Sequence, residues 1–255
     1  MSSKLSEGST VIKSGEEKLI STEEEVGVDA GRFDSIVSAI DYADNENIGK
    51  VLIPAGTFTG EELGPNDEVR VDDGTSVTIE GTGPGQTILD AGEDNYGLRF
   101  SGAGECHVRG ITMRGGEHGT RTNVPVTIEN CVIDGLGETS PSVVRWTSSG
   151  ASGSELRNVE IKGVQFDAID LEGADNVKLH NITIRDVGRY GLRFFDGDDS
   201  IASMVDIYAD GATDDAIEFR DTASGNVVSS GIVRGSIGGD NIEENTVGDA
   251  VDERT

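Results

Sequence analysis

A charged side chain recurs along this chain at steps of 22 to 25 residues, and in most copies it stands between two apolar residues. The seven copies are Arg99, Arg121, Arg145, Asp170, Arg193, Glu218 and Glu243. Arginine can grip a carboxylate or a sulfate through two parallel hydrogen bonds. Carboxylates can transfer protons or hold a cation. The spacing therefore predicts a line of chemically capable groups along one surface of the molecule.

The apolar neighbours of these charges indicate the element that carries them. They are separated by two residues, as in Leu98 and Phe100 or Ile217 and Phe219, which is the period of a strand with one buried face. A phrase repeated at a fixed interval of this size is typical of a solenoid, in which each coil is stabilised by its neighbours. Trp146 shares the position of Phe219 and is predicted to point into the core.

A second phrase alternates with the first and predicts two further strands in each coil. It occupies 126–133, 156–161 and 177–184, with an asparagine near its middle in each copy: Asn130, Asn158 and Asn181. Gly110 takes that place in an earlier copy. Asparagine and glycine tolerate the left-handed backbone that a sharp turn requires, so we expect a corner there, with the side chains of successive coils hydrogen-bonded to each other.

This pattern resembles the right-handed parallel β-helix of the pectate-lyase-like superfamily over roughly residues 31–245. An amphipathic segment at 32–44, followed by a strand and the turn Pro54-Ala-Gly-Thr57, is similar to the start of many members. The resemblance implies an all-β solenoid of about seven to eight rungs, closed at its N-terminal end by a short capping helix. We expect one domain at 31–245, a polar arm at 1–30 and a polar acidic tail at 246–255.

Composition narrows the classes of partner. The net charge is −28, from 48 acidic and 20 basic residues, which is typical of halophilic proteins, because salt screens the self-repulsion. No basic patch would meet nucleic acid, and no apolar run is long enough to insert into a membrane. The two cysteines are too few for a disulfide scaffold and are expected to be free.

The resemblance implies that sugar chains bind along the strands that carry the charged position. Asp167-Ala-Ile-Asp170 is similar to part of a polygalacturonase motif, in which carboxylates on adjacent rungs act as acid and base. Here Arg193 occupies the next rung and the next acid, Asp215, lies two rungs on, so the order departs from that family. Asp167, Asp170, Arg193 and Asp215 are the candidate catalytic residues.

Four acids on the last two predicted rungs are candidate metal ligands. Asp215, Glu218, Asp240 and Glu243 would be close enough to repel unless a proton or a cation lies between them. Ca²⁺ prefers such oxygen clusters, and the resemblance implies Ca²⁺ in the binding of uronates. The alternative is that these are solvated surface acids. No cofactor other than this Ca²⁺ is indicated.

The remaining candidates form a glycan-binding surface. Arginine and aromatic side chains on the charged strands are suited to an acidic polysaccharide, and they are Tyr96, Arg99, His118, Arg121, Arg145, Tyr190 and Arg193. The alternative is a structural ladder, because the signs alternate from Arg145 to Glu218 and stacked neighbours would attract each other.

Short connections between the predicted strands favour a binding or structural role over catalysis, since catalytic clefts are usually built by long loops. The leading hypothesis is a non-catalytic structural or adhesive protein at an extracellular or virion surface in a high-salt environment, of the spike, turret or fibre type. It would contact copies of itself or virion proteins, with a homo-oligomer expected, and host surface glycans. No secretion signal is visible in residues 1–30, and a cytoplasmic location stays open. The alternative is a Ca²⁺-dependent polysaccharide lyase or epimerase.

Overall fold

The chain folds as a parallel β-helix, in which like strands of successive coils stack in register. The computed structural model describes residues 10–14, 17–22, 25–27, 33–72, 74–92, 95–102, 104–115, 118–135, 142–209, 212–241, 243, 245–248 and 251–253, with side chains described from residue 33 to residue 248. The predicted all-β solenoid is confirmed.

One face of the coil is an eight-stranded parallel sheet, which we call the charged sheet. Its strands are Val69–Val71, Tyr96–Phe100, His118–Thr122, Ser142–Thr147, Asp167–Glu172, Leu192–Phe195, Ile217–Arg220 and Ile237–Gly238. The first of these was not predicted. It pairs Arg70 with Arg99 and so extends the line of charges by one rung.

The seventh predicted copy is wrong in its register. Ile237 and Gly238 pair with Ile217 and Glu218, so Gly238 follows Glu218 in the stack, and Glu243 does not. The step from Ile217 to Ile237 is 20 residues, shorter than the steps of 22 to 25 residues between the predicted copies. A Cβ atom at Gly238 would clash with the carboxylate of Asp215.

The other two faces are continuous with each other in a 17-stranded sheet. Four long strands cross from one face to the other: Val126–Asp134, Glu155–Lys162, Lys178–Arg185 and Ile201–Tyr208. In the remaining coils each face has its own short strands. They are Lys50–Leu52, Thr78–Glu80, Cys106–Arg109, Val227–Val228 and Thr246–Val247 on one face, and Gly56–Thr59, Thr87–Asp90, Thr112–Arg114, Gly231–Arg234 and Val251–Glu253 on the other.

The predicted asparagine corner is present between these two faces. Asn130, Asn158 and Asn181 have φ of 51°, 52° and 55°. The amide of Asn158 donates to Asn130 Oδ1 at 3.1 Å, and that of Asn181 donates to Asn158 Oδ1 at 2.8 Å. Met204 takes the corner of the next coil with φ of 55°, and its side chain is exposed, so the amide ladder ends there.

The N-terminal end of the coil is covered by a helix at Ile36–Asn45. The prediction placed its start near residue 32; it begins after Ser35, whose hydroxyl accepts a hydrogen bond from the backbone N–H of Ser38. The buried side chains Ile36, Ala39, Ile40 and Ala43 join the core of the first rungs. Short 3₁₀ turns lie at Gly60–Glu62, Pro65–Asp67 and Ser149–Ala151.

Both ends of the chain contribute backbone pairing. Thr10–Ser14, Glu17–Thr22 and Glu25–Gly27 form an antiparallel meander, and Glu25–Gly27 pairs in parallel with Lys50–Leu52 of the first coil. The described backbone of the arm thus extends one face of its own chain. Strand pairing also continues past residue 245, through Thr246–Val247 and Val251–Glu253.

The interior is a single apolar cluster that runs the length of the coil. Trp146 is fully buried, as predicted, and the rings of Phe194 and Phe219 stack with their centroids 5.0 Å apart. Cys106 and Cys131 are free and buried, and burial raises the pKa of the Cys131 thiol to about 12, so both are inert packing residues. Among the described residues, no helix has the length and apolar character needed to cross a membrane.

Candidate functional site

One outward position per rung of the charged sheet carries the charges, and we call this line the charged column. Parallel register stacks Arg70, Arg99, Arg121, Arg145, Asp170, Arg193 and Glu218 in that order. Strand alternation turns these side chains away from the core, and rung stacking separates them by about 4.8 Å. The column divides into an arginine half, Arg70 to Arg145, and a second half in which the signs alternate.

Three members of the arginine half have carboxylate partners that lie outside the column. The ion pairs are Arg70 Nε to Asp72 Oδ1 at 2.5 Å, Arg99 Nη1 to Glu68 Oε1 at 3.8 Å and Arg145 Nη2 to Glu172 Oε2 at 2.7 Å. Glu68 is only 4% exposed, and burial raises the pKa of its carboxyl, although Arg99 opposes that shift. These pairs lie along the margins of the strands and leave the centre of the half positive.

Arg121 differs from the other three arginines. Within the described part of the chain it has no carboxylate within ion-pair distance, and its Nη1 donates instead to the hydroxyl of Tyr96 at 3.0 Å. The guanidinium groups of Arg99 and Arg121 lie 5.3 and 5.7 Å from the centroid of the Tyr96 ring. Both Tyr96 and Arg121 are half-buried. This is a guanidinium supported by an aromatic ring, and no acid among the described residues neutralises its charge at short range.

His118, predicted as a glycan contact, lies beneath this cluster. Its ring is fully buried and stacks on Tyr96 with centroids 5.4 Å apart. Its Nδ1 is hydrogen-bonded to the carbonyl oxygen of Ser142. His118 therefore supports the Tyr96 ring and does not reach the solvent.

The residues in the second half of the column belong to a group of ion pairs that we call the ionic network. Its members are Asp167, Asp170, Arg189, Arg193 and Glu218. Arg189 binds Asp167 through two hydrogen bonds of 2.6 Å each. Arg193 Nε lies 2.9 Å from Glu218 Oε2, and its Nη1 lies 3.9 Å from Asp167 and 3.8 Å from Asp170. Every carboxylate of the network thus faces a guanidinium.

The three acids of the network are buried, at 0% exposure for Asp167, 4% for Asp170 and 6% for Glu218. Burial raises the pKa of Asp170, with a smaller contribution from Asp167; Arg193 and the hydroxyl of Ser142, which donates to Asp170 Oδ2 at 3.1 Å, act in the opposite direction. The structure thus brings together three of the four candidate catalytic residues, Asp167, Asp170 and Arg193. The fourth, Asp215, lies against Gly238.

Aromatic rings enclose the guanidinium of Arg193. The Phe195 and Tyr190 centroids lie 4.6 and 5.7 Å from it. Burial, together with the negative charges of Glu218 and Asp214, raises the pKa of Tyr190. Tyr190 and Arg193, both predicted to contact a glycan, are therefore engaged within the protein. Sequence reasoning missed Arg189 and Phe195; the one signal for Arg189 was its place a single coil after Asp167.

The four candidate metal ligands do not form one ligand set. Glu218 is paired with Arg193, and Asp240 and Glu243 are exposed on the last coil, out of the stack with Glu218. In the part of the chain that is described, no group of three or more His, Cys, Asp or Glu side chains is arranged to hold a metal ion.

Comparison of the chain with protein-family models and with curated proteins gives no match. The relation to the pectate-lyase-like superfamily thus stays a resemblance in the repeat pattern, whereas the parallel β-helix is observed. The charged sheet can attract anions at its arginine half. The acids on the strands of this sheet form ion pairs with arginines of the same chain.

Proposed function

We propose that this protein is a non-catalytic β-helix that binds acidic glycans through the arginine half of its charged sheet. The observation that carries the proposal is the guanidinium of Arg121, which has Tyr96 as its hydrogen-bond partner and no acid at ion-pair distance within the described residues. A sugar carboxylate or sulfate would supply the missing partner through charge-assisted hydrogen bonds.

The charge of the whole chain makes this surface selective. With 48 acidic residues against 20 basic ones, an anion is repelled from most of the surface and is attracted only where guanidinium groups cluster. Arg99 and Arg121 stand on adjacent rungs with Tyr96 between them. A chain of sugar units lying along the coil would meet both arginines.

The acids of the second half support a binding role over catalysis. Asp167, Asp170 and Glu218 are each close to an arginine, and acid–base cleavage of a glycan needs a pair of carboxyl groups free to face the glycosidic bond. We place the protein at an extracellular or virion surface of a high-salt environment, in the manner of a pectate-lyase-like spike, turret or fibre component that assembles with copies of itself or with virion proteins. The acidic composition supports this placement.

The test is binding to alginate oligomers, measured by isothermal titration calorimetry in buffered salt. Arg121→Gln should weaken binding about tenfold, because a hydrogen bond to a charged group contributes roughly 1.5 kcal/mol or more. The matched control is Arg157→Gln, an arginine on another face that is paired with Glu155 of its own strand, and it should bind as the parent does. Equal losses in the two variants would refute the proposal.

One observation favours an enzyme, a Ca²⁺-dependent lyase or epimerase: Asp170 is a buried acid with a raised pKa beside Arg193. The discriminating measurement is the absorbance of unsaturated products from polygalacturonate or alginate, with Ca²⁺ in molar salt. We expect no rise. A rise that Asp170→Asn or Asp215→Asn abolishes would replace the binding proposal with the enzymatic one.

A further inference from the structure

A cavity of about 380 Å³ lies at the N-terminal end of the coil, between the helix Ile36–Asn45 and the first strand of the charged sheet. We call it the end cavity. It is separate from Tyr96, Arg99 and Arg121, and of the arginine half it shares only Arg70. Its volume is within the range of small-molecule sites in proteins.

The apolar wall of the end cavity consists of Val37 and Ile40 from the helix and Pro65 from the turn that follows. This wall is held in place from both sides. The backbone N–H of Val37 donates to the carbonyl oxygen of Leu63 at 3.1 Å, and a Cβ atom at Gly64 would clash with the Val37 side chain. The helix and the turn are therefore fitted to each other, and the cavity between them is preformed.

The turn bends tightly at this place. Asn66 and Asp67 are consecutive residues with φ of 63° and 57°, a left-handed conformation that asparagine and aspartate adopt more readily than other side chains do. This conformation reverses the chain after Pro65, which lines the cavity together with the helix.

The polar side of the end cavity carries one unmatched negative charge. Arg70 and Asp72 line it as an ion pair of 2.5 Å. Asp41 lines it as well, and its carboxylate has no hydrogen bond or ion pair with any described residue. Partial burial raises the pKa of Asp41, and the negative charges of Asp72 and Asp44 add to that shift. A cation at the carboxylate would relieve this repulsion.

We propose that the end cavity binds a small organic monocation, an alkylammonium whose charged group pairs with Asp41 and whose short hydrocarbon body packs against Val37, Ile40 and Pro65. A bare divalent metal fits less well, because one free carboxylate falls short of the six to eight oxygens that Ca²⁺ takes. An anion is disfavoured, since the single arginine of the lining is already paired.

The test is a titration of the full chain with n-butylammonium chloride, followed by amide chemical shifts at fixed ionic strength. High ionic strength is needed because the net charge of −28 attracts every cation weakly. The amides of residues 37–41 and 70–72 should shift and saturate. n-Butanol, butyrate and ammonium chloride are the comparison probes. Each should bind more weakly, because n-butanol and butyrate lack the positive charge and ammonium lacks the hydrocarbon body.

Two substitutions separate the contributions of charge and shape. Asp41→Asn should raise the Kd of n-butylammonium about three- to fivefold, as expected for an ion pair at a partly exposed carboxylate. Val37→Ala should also raise it, by loss of apolar contact. Glu46→Gln removes a charge at the C-cap of the same helix, outside the lining, and should leave the Kd unchanged within about twofold, since that charge is screened.

Several results would overturn the inference. They are the absence of saturable shifts at residues 37–41, equal binding of ammonium or butanol, shifts spread evenly over the acidic surface, and an unchanged Kd for Asp41→Asn. The thermal unfolding midpoint of each variant shows whether the helix is still in place, and Val37→Ala supplies an independent reading if Asp41→Asn perturbs the fold.

Discussion

The two halves of the charged column have the same backbone and opposite electrostatic character. In the arginine half, four cations follow each other on consecutive rungs, and three of them have carboxylate partners that lie outside the column. In the second half, acid and base alternate and the acids are buried. The comparison shows that the β-helix fixes the distances between the charges, while one residue per rung decides whether the surface is open to a ligand or closed on itself.

The two halves also differ in the electrostatic free energy between neighbouring rungs. Like charges about 4.8 Å apart repel by about 1 kcal/mol even in water, so the arginine half keeps a repulsion that an anionic ligand would relieve. In the ionic network the same spacing gives attraction. That attraction offsets part of the cost of burying Asp167, Asp170 and Glu218, and at Asp170 the cost of burial prevails, because its pKa is raised.

The largest effect should follow from removing the central base of the network. Arg193→Gln leaves Asp170 and Glu218 buried without their guanidinium and should destabilise the fold by about 3–5 kcal/mol, measured by urea unfolding. Arg121→Gln is the matched change in the arginine half and should stay within about 0.5 kcal/mol of the parent. If the two variants lose the same stability, the halves do not differ as described.

An intermediate effect should appear in the pH dependence of Asp170. Because the pKa of Asp170 is raised in the folded state, its contribution to stability is complete at pH values below the unfolded pKa of about 4. It is lost as the pH rises through the folded pKa. The stability of Asp170→Asn relative to the parent should therefore increase from pH 4 upward, as followed by urea midpoints at constant salt. A flat difference would show that Asp170 ionises as freely as in the unfolded chain.

A smaller effect than that of Arg193→Gln is expected for Arg145, whose pair with Glu172 is partly exposed. Arg145→Gln should cost less than about 1 kcal/mol, and the loss should shrink in 1 M salt, where the Debye length is about 3 Å. The Arg193→Gln loss should persist under the same conditions, since salt hardly screens buried charges. Equal salt sensitivity of the two losses would remove the distinction between an open and a closed half.

Most of the fold follows from the sequence because a solenoid is built from local, repeated patterns. The apolar pairs such as Leu192 and Phe194, and the corner residues Asn158 and Asn181, occupy the places that their spacing predicts. The strand Val69–Val71 was missed because three residues carry too short a pattern. The seventh predicted copy was wrong because its residues matched the spacing of the repeat by chance. The strand that continues the sheet passes through Gly238 instead.

The location of the candidate site could be predicted from the sequence, but the ion-pair partners of its charged residues could not. The line of charges could be read from the sequence, because strand alternation puts every second residue on one face. The role of each charge could not, since it depends on side chains from neighbouring coils: Arg189 neutralises Asp167, and Tyr190 and Phe195 enclose Arg193.

The sequence by itself determined the coil, its core and the order of charges along one face, because these depend on period and parity alone. The tertiary structure decided which charges are neutralised, which are buried and which stay open. Two arginines of the same column illustrate the reason: Arg193 meets three acids brought from adjacent rungs, whereas Arg121 meets a tyrosine. Electrostatic character depends on distances through space, and stacking the rungs sets those distances.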